Sequence, residues 1–237
     1  MSMLPIYVVC HVALEPASYL CNYLDKKNIL YKKISGISDE VAALDLTAVA
    51  GLVFMGGPFS VNDDLPWVAN EIKLIQSAID KDVPMMGVCF GAQLISKALG
   101  ADVSRAEYME AGWHNVAVDT SQLADISGLN LDETFEVFEW HEDTFSTPDG
   151  AIPIFSGRNL ESQGYLYGKV LAMQFHLEMT EHMVHDWLER YCDCMPRTSQ
   201  SVQSAEQITE RLTERLDNLH AVADKIYDWW LSMVRLN

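Results

Sequence analysis

Through the first hundred residues, apolar runs of strand length alternate with amphipathic stretches of helical length. Ile6 to Val12 is an apolar run that opens the chain. Pro16 to Lys27 reads as a helix with Tyr19, Leu20, Tyr23 and Leu24 turned inward. Ile29 to Ile34 forms a second, shorter strand, and Gly51 to Met55 a third that runs directly into Gly56-Gly-Pro-Phe-Ser-Val-Asn62. Pro66 to Asp80 places Val68, Ile72, Ile75 and Ile79 at i, i+4, i+7 and i+11, the spacing of one helix face. A fourth apolar strand, Pro84 to Val88, turns into a helix from Ala92 to Leu99, closed by Gly100. Apolar strands alternating with amphipathic helices imply a parallel sheet covered on both faces. Ligands of such sheets bind beyond the carboxyl ends of the strands, where both Gly56-Gly57 and Cys89 fall.

After Gly100 the pattern changes. Asp102 to Arg105, Gly112 to Asp119, Phe135 to Trp140, Ala151 to Gly157, Tyr165-Leu166 and Val170 to Phe175 read as short strands joined by turns, followed by a helix from Thr180 to Tyr191. The polar stretch 195–203 ends the domain. Ser204-Ala-Glu-Gln207 is a capping box that opens a long helix to about residue 235. Ile208, Leu212, Leu216, Leu219, Val222, Ile226, Trp229 and Met233 make one stripe along it. Such a stripe packs on the body of the protein or serves as a partner or dimer surface.

Composition narrows the classes. The chain has 237 residues, 49% of them hydrophobic, enough for a sizeable core, and no apolar run approaches a membrane span. Its start reads as a strand rather than a signal peptide. A net charge of −18 disfavours nucleic acid and membrane partners and favours solubility. The five cysteines (10, 21, 89, 192 and 194) have no disulfide-framework spacing, and Cys192-x-Cys194 lacks a second pair at zinc spacing, so neither metal nor cofactor is expected. The expectation is a reducing, cytoplasmic setting.

Gly87-Val-Cys-Phe-Gly91 is a G-x-C-x-G sequence between a strand and a helix, the cysteine form of a nucleophile elbow. Glycines two before and two after the cysteine relieve crowding in a tight turn. They push the Cys89 thiol out at a helix N-terminus, a location that favours thiolate. The plain alternative is a buried structural cysteine. Late in the chain, Ala172-Met-Gln-Phe-His-Leu-Glu178 ends an apolar strand in His176-x-Glu178. A protonated thiol is a poor nucleophile and needs a base, and the base needs a third group to hold its tautomer. His176 and Glu178 supply both from one strand end. The order Cys, then His, then Glu argues against an α/β-hydrolase.

The chain resembles the class I (triad) glutamine amidotransferases, in particular the amidotransferase domain of GMP synthase. The resemblance rests on Met55 to Asn62, Gly87 to Gln93, Glu110-Ala-Gly-Trp113, Trp140-His-Glu-Asp143 and Gln174 to Glu178, in the family's order over roughly residues 5 to 190. It implies a three-layer αβα, flavodoxin-like sandwich with a mostly parallel central sheet. Residues 1–194 would form the amidotransferase-like domain, and 195–237 a linker and C-terminal amphipathic helix. It also implies that Cys89 attacks the glutamine side-chain amide, giving a γ-glutamyl thioester and ammonia. His176 would carry the proton to the leaving nitrogen and Glu178 would orient His176. The oxyanion would lie between the backbone N–H groups of Gly57 and Phe90, and Gly56 and Gln93 would contact substrate. Pro58 and Asn62 would shape the glycine loop. For Glu110 and Gly112-Trp113, substrate contact and packing stay open. The chain departs from the family at Trp140, where relatives often carry serine, and at Leu177, where proline is usual. His182 and His185 read as surface residues.

Amidotransferases normally hand ammonia to a synthetase. The chain lacks the Ser-Gly-Gly-x-Asp loop of the pyrophosphatase half of GMP synthase, a Walker loop and a dinucleotide fingerprint. Three readings follow. One is a glutamine amidotransferase subunit with a synthetase on another chain, docked at the C-terminal helix. Another is a γ-glutamyl hydrolase acting on γ-glutamyl amides or peptides. The third is a non-catalytic regulatory module.

Overall fold

The computed structural model describes residues 4–13, 15–123, 128–191 and 199–235. Cys192, Cys194 and the first part of the polar stretch, 195–198, lie outside the described residues. The first half runs β1 (Ile6–Cys10), α1 (Ser18–Lys26), β2 (Tyr31–Ser35), β3 (Gly51–Phe54), α2 (Pro66–Asp80), β4 (Met85–Val88) and α3 (Phe90–Ala98). The second half runs β5 (Val103–Val118), α4 (Thr120–Leu123), β6 (Thr134–Phe145), β7 (Ile152–Gly157), β8 (Gly164–Tyr167), β9 (Val170–Met173), α5 (Glu181–Tyr191), α6 (Ala205–Thr209) and α7 (Leu212–Leu231).

One nine-stranded sheet takes the order β2-β1-β3-β4-β9-β8-β7-β5-β6. From β2 to β9 every pairing is parallel, and from β9 to β6 every pairing is antiparallel. The parallel half is buried on both faces, because side chains alternate along a strand. On β3, Val53 joins one core with α1, α5 and α7, while Leu52 and Phe54 join the opposite core with α2 and α3. This is the expected αβα sandwich, with an antiparallel wing added.

The wing differs in detail from the short strands expected. Val103–Val118 is a single strand paired with Thr134–Phe145 into a long hairpin, with a register irregularity between Arg105 and Glu110. That irregularity falls where the sequence pattern divides into two strands. On α2 the buried face is Val68, Glu71, Leu74, Ile75 and Ala78, so Ile72 and Ile79 flank the core and a glutamate enters it.

The C-terminal helix is two helices. Ser204 caps α6 in a capping box with Gln207 as expected, but the chain breaks at Arg211, which takes a left-handed φ of 55° and starts α7. The indole N–H of Trp113 donates to Ile208 O at 2.9 Å, and the Arg215 guanidinium donates to Gln207 O at 3.0 Å, so these carbonyls have partners without a continued helix. A left-handed non-glycine residue costs about 1 kcal/mol. The bend offsets this by letting Ile208 and Leu212 both bury. The apolar stripe packs on the body: Leu216, Leu219, Ile226 and Trp229 are buried in the same core as α1 and α5. Trp230, fully buried, donates its indole N–H to Met85 O at 3.0 Å and ties α7 to the amino end of β4. The stripe is therefore not a free surface for a synthetase or a second copy, correcting that part of the partner expectation. No helix among the described residues is long and apolar enough to cross a membrane.

Candidate active site

Cys89 sits between β4 and α3 at φ 51°, ψ −112°, a conformation a side chain rarely adopts. The two flanking glycines explain how it is held. A Cβ on Gly91 would overlap the Phe54 carbonyl oxygen outright and stand 2.5 Å from its carbon. One on Gly87 would stand 2.8 Å from Ala92 N and Gly91 O. Helix α3 thus folds back tightly on its own strand and on the end of β3, presenting Cys89 at the strands' carboxyl end. The cysteine is 6% exposed and opens onto a cavity of about 480 Å³. Its thiol points to the Trp140 carbonyl, Sγ to O 3.9 Å.

The chain beyond β9 brings in the second group. The His176 N–H donates to Phe138 O at 2.9 Å, pinning this segment to β6. Its Nδ1 donates to Glu178 Oε1 at 2.7 Å, and the ring meets Trp187 edge-on at 5.0 Å. Nε2 is buried without a hydrogen-bond partner, as is Glu178 Oε2. Burial opposes charge on the imidazole, but the Glu178 carboxylate and the neighbouring Cys89 hold its pKa well above the ordinary value. His176 Cε1 and Cys89 Cβ lie 3.0 and 3.7 Å from one point, the place a Cβ on Gly56 would occupy. The imidazole and the thiol therefore meet beside Gly56, without a formed hydrogen bond between them, and Gly56 must be glycine to let them approach.

Gly57 lines the cavity, and Phe90 begins α3, where the first N–H groups of a helix have no intrahelical partner. Gln93 also lines the cavity. Its side-chain N–H₂ is committed to Asp143 O at 3.1 Å and Gln174 Oε1 at 3.4 Å, tying α3 to the wing. Asn62 braces its loop, donating to Val103 O at 2.8 Å and accepting from Lys97 at 2.6 Å. Glu110 and Trp113 resolve to packing: Glu110 accepts from Asn159 and Gln163, and Trp113 stacks edge-on against Phe138 and bonds α6. His182 and His185 are on the surface.

His141 is buried with Nε2 at 3.3 Å from Glu110 and 3.2 Å from Glu139, while Nδ1 donates to Asp143 O at 2.9 Å. Burial opposes its charge, but the two carboxylates bring its pKa up to about 10. These three residues place one ligand atom each within 4.8 Å of the others. An imidazolium shared by two carboxylates accounts for them, and it holds the Asp143 carbonyl that also receives Gln93.

Several residues at the site gave no family signal. Glu15 lines the cavity, bonded by the Tyr191 hydroxyl at 3.4 Å, and burial raises its pKa to about 6 against the pull of His176. His11 and Glu71 form a buried pair behind the glycine loop, with Nε2 to Oε2 3.0 Å. Two signals could have found that pair: a histidine inside the apolar run of β1, and a glutamate three residues after Val68 on the apolar face of α2.

The profile of the family described as Glutamine amidotransferase class-I matches residues 19–190. The chain belongs to that family. A solved structure of a glutamine amidotransferase from Methylobacillus flagellatus is 30% identical, with a TM-score of 0.92 over 100% of this chain and 97% of that one. One separately encoded subunit of the glutamine-hydrolysing GMP synthase of Thermoplasma acidophilum is 30% identical over 149 residues, 62% of this chain and 71% of that protein. The glutamine-hydrolysing GMP synthase of Acetivibrio thermocellus is 28% identical over 160 residues, 61% of this chain but 28% of its own length. The chain thus spans under a third of that full-length synthase. As a class I amidotransferase, it carries Trp140 on the cavity wall, where relatives often have serine, and a fully buried Leu177 between His176 and Glu178.

Proposed function

We propose that the chain performs the glutaminase half-reaction, hydrolysing the side-chain amide of glutamine and releasing ammonia for an acceptor bound by a separate synthetase chain. The reading rests on one arrangement: an elbow cysteine open to a cavity, beside an imidazole fixed at 2.7 Å by Glu178 whose other nitrogen is unpaired. In this reading His176 Nε2 takes the Cys89 proton as sulfur attacks the amide carbon. The carbonyl oxygen gains charge and is stabilised by the N–H groups of Gly57 and Phe90. The C–N bond then breaks, His176 returns the proton to nitrogen, and ammonia leaves. Water attacks the γ-glutamyl thioester with His176 as base, freeing glutamate and thiol. Glu178 keeps Nε2 as the lone-pair nitrogen throughout. Division of the work between two chains is supported by the Thermoplasma relative, which is itself one subunit of a GMP synthase. Docking would then use a surface other than the buried α7 stripe.

A second reading is hydrolysis of γ-glutamyl amides or peptides. It is favoured by a cavity within the size range of small-molecule sites and walled by Trp140, Trp187 and Tyr191, larger apolar surface than glutamine alone requires. The test measures ammonia release from glutamine and amine release from γ-glutamyl peptides on the isolated chain. It also measures labelling of Cys89 by a glutamine-analogue electrophile. Glutamine turnover that disappears in Cys89→Ala supports the first reading. Peptide turnover with negligible glutaminase supports the second. Undiminished activity in Cys89→Ala overturns both.

A further inference from the structure

His11 and Glu71, both with fully buried side chains, stand directly behind the Gly56-Gly57 peptide. His11 Nδ1 lies 3.1 Å from Gly56 O, and Nε2 lies 3.0 and 3.2 Å from the two Glu71 oxygens. A carbonyl oxygen only accepts, so Nδ1 carries a hydrogen. The Glu71 carboxyl on the far side shares a proton with Nε2 and removes any gain from the opposite tautomer. Carbonyl and N–H point to opposite sides of a planar trans peptide. Holding Gly56 O into the interior therefore aims Gly57 N–H the other way, toward the cavity that Gly57 lines and His11 does not. The His11 ring also packs edge-on against Phe90 at 4.9 Å, steadying the residue that bears the other backbone donor.

We propose that His11, fixed by Glu71, is a positioning residue for the oxyanion site. It locks the Gly56-Gly57 peptide in the orientation that offers its N–H to the developing negative charge. The proposal rests on the glutaminase or γ-glutamyl hydrolase reading above. It explains why a histidine and a glutamate that do not line the cavity are buried together beside it.

Asparagine carries a donor at the same side-chain position as Nδ1, and leucine is its isostere without one. The test therefore compares His11→Asn/Glu71→Gln with His11→Leu/Glu71→Gln. The Asn form is expected to keep kcat within about tenfold of wild type. The Leu form should fall about 10²-fold or more below it, the usual loss for one oxyanion donor, with KM within about threefold. Alkylation of Cys89 by iodoacetamide, a displacement at saturated carbon that builds no oxyanion, should proceed equally in both. Equal kcat in the two variants, with an active wild type, overturns the role of His11. Inertness of the wild type toward both glutamine and γ-glutamyl peptides defeats the functional reading instead. Should the Leu form fail to melt cooperatively, nitrogen-15 NMR of the wild type decides. His11 Nδ1 is expected to stay protonated from about pH 6 to about pH 9, and an unprotonated Nδ1 in that range overturns the proposal.

Discussion

Replacing Glu15 by glutamine should stabilise the protein at neutral pH and do nothing in acid. The carboxyl is 7% exposed, and burial raises its pKa from the ordinary 4.5 to about 6, while His176 and the Tyr191 hydroxyl pull the other way. A raised folded-state pKa means that the folded protein holds the proton more tightly than the unfolded chain. The associated stability is fully present below about 4.5 and is lost as pH rises through about 6. The rise from 4.5 to about 6 corresponds to about 2 kcal/mol of destabilisation by the ionised group above the upper value. Glutamine keeps the shape and can still accept from Tyr191, but never ionises. Urea unfolding of wild type and Glu15→Gln at about pH 4 and about pH 7.5 reads the difference directly. The variant should match wild type at the lower pH and exceed it by about 1–2 kcal/mol at the higher. Equal stability at the higher pH, or an advantage that persists in acid, would refute the assignment of the raised pKa to burial of this carboxyl.

Glu178→Gln should lower kcat by about 10³–10⁴-fold, because His176 loses the carboxylate that fixes its tautomer; ammonia-release kinetics measure this, and a loss under tenfold argues against a triad. Gly91→Ala drives a Cβ into the Phe54 carbonyl, backbone that cannot yield, and should cost about 3 kcal/mol or more. Gly100→Ala, with open space around a φ of +84°, should cost only about 1 kcal/mol, so urea midpoints of the pair separate overlap from conformational strain. Trp230→Ala empties a fully buried site and strips the partner from Met85 O, for an expected loss of about 3–5 kcal/mol in chemical denaturation. A loss below about 1 kcal/mol would mean that α7 is not anchored through that indole.

The parallel half could be read from the chain because its cause is local: unbroken apolar runs, helical spacing on α2, and glycines flanking Cys89. The His176-Glu178 pairing was legible for the same reason, two residues on one short segment. What failed were features set by distant partners. The continuous helix from Ser204 gives way at Arg211 because Trp113, nearly a hundred residues earlier, claims the Ile208 carbonyl. The hairpin of β5 and β6 looked like separate strands because its irregularity between Arg105 and Glu110 mimics a turn. Glu15 joins the cavity through the path of the chain after β1, which no periodicity encodes. Gln93 was expected to face substrate, yet its donors are spent on Asp143 and Gln174, carbonyls and amides brought near only by the sheet.

The hairpin of β5 and β6 supplies Arg105, Met109 and the run Trp140 to Asp143 to the cavity, whereas Cys89 and Gly57 come from the parallel half. Chemistry and recognition thus reside on different strands of one sheet. Exchange of that ribbon between relatives would re-tailor what enters the site while leaving the bond-breaking apparatus intact. Diversification of substrate preference among such proteins can therefore proceed by remodelling one peripheral ribbon.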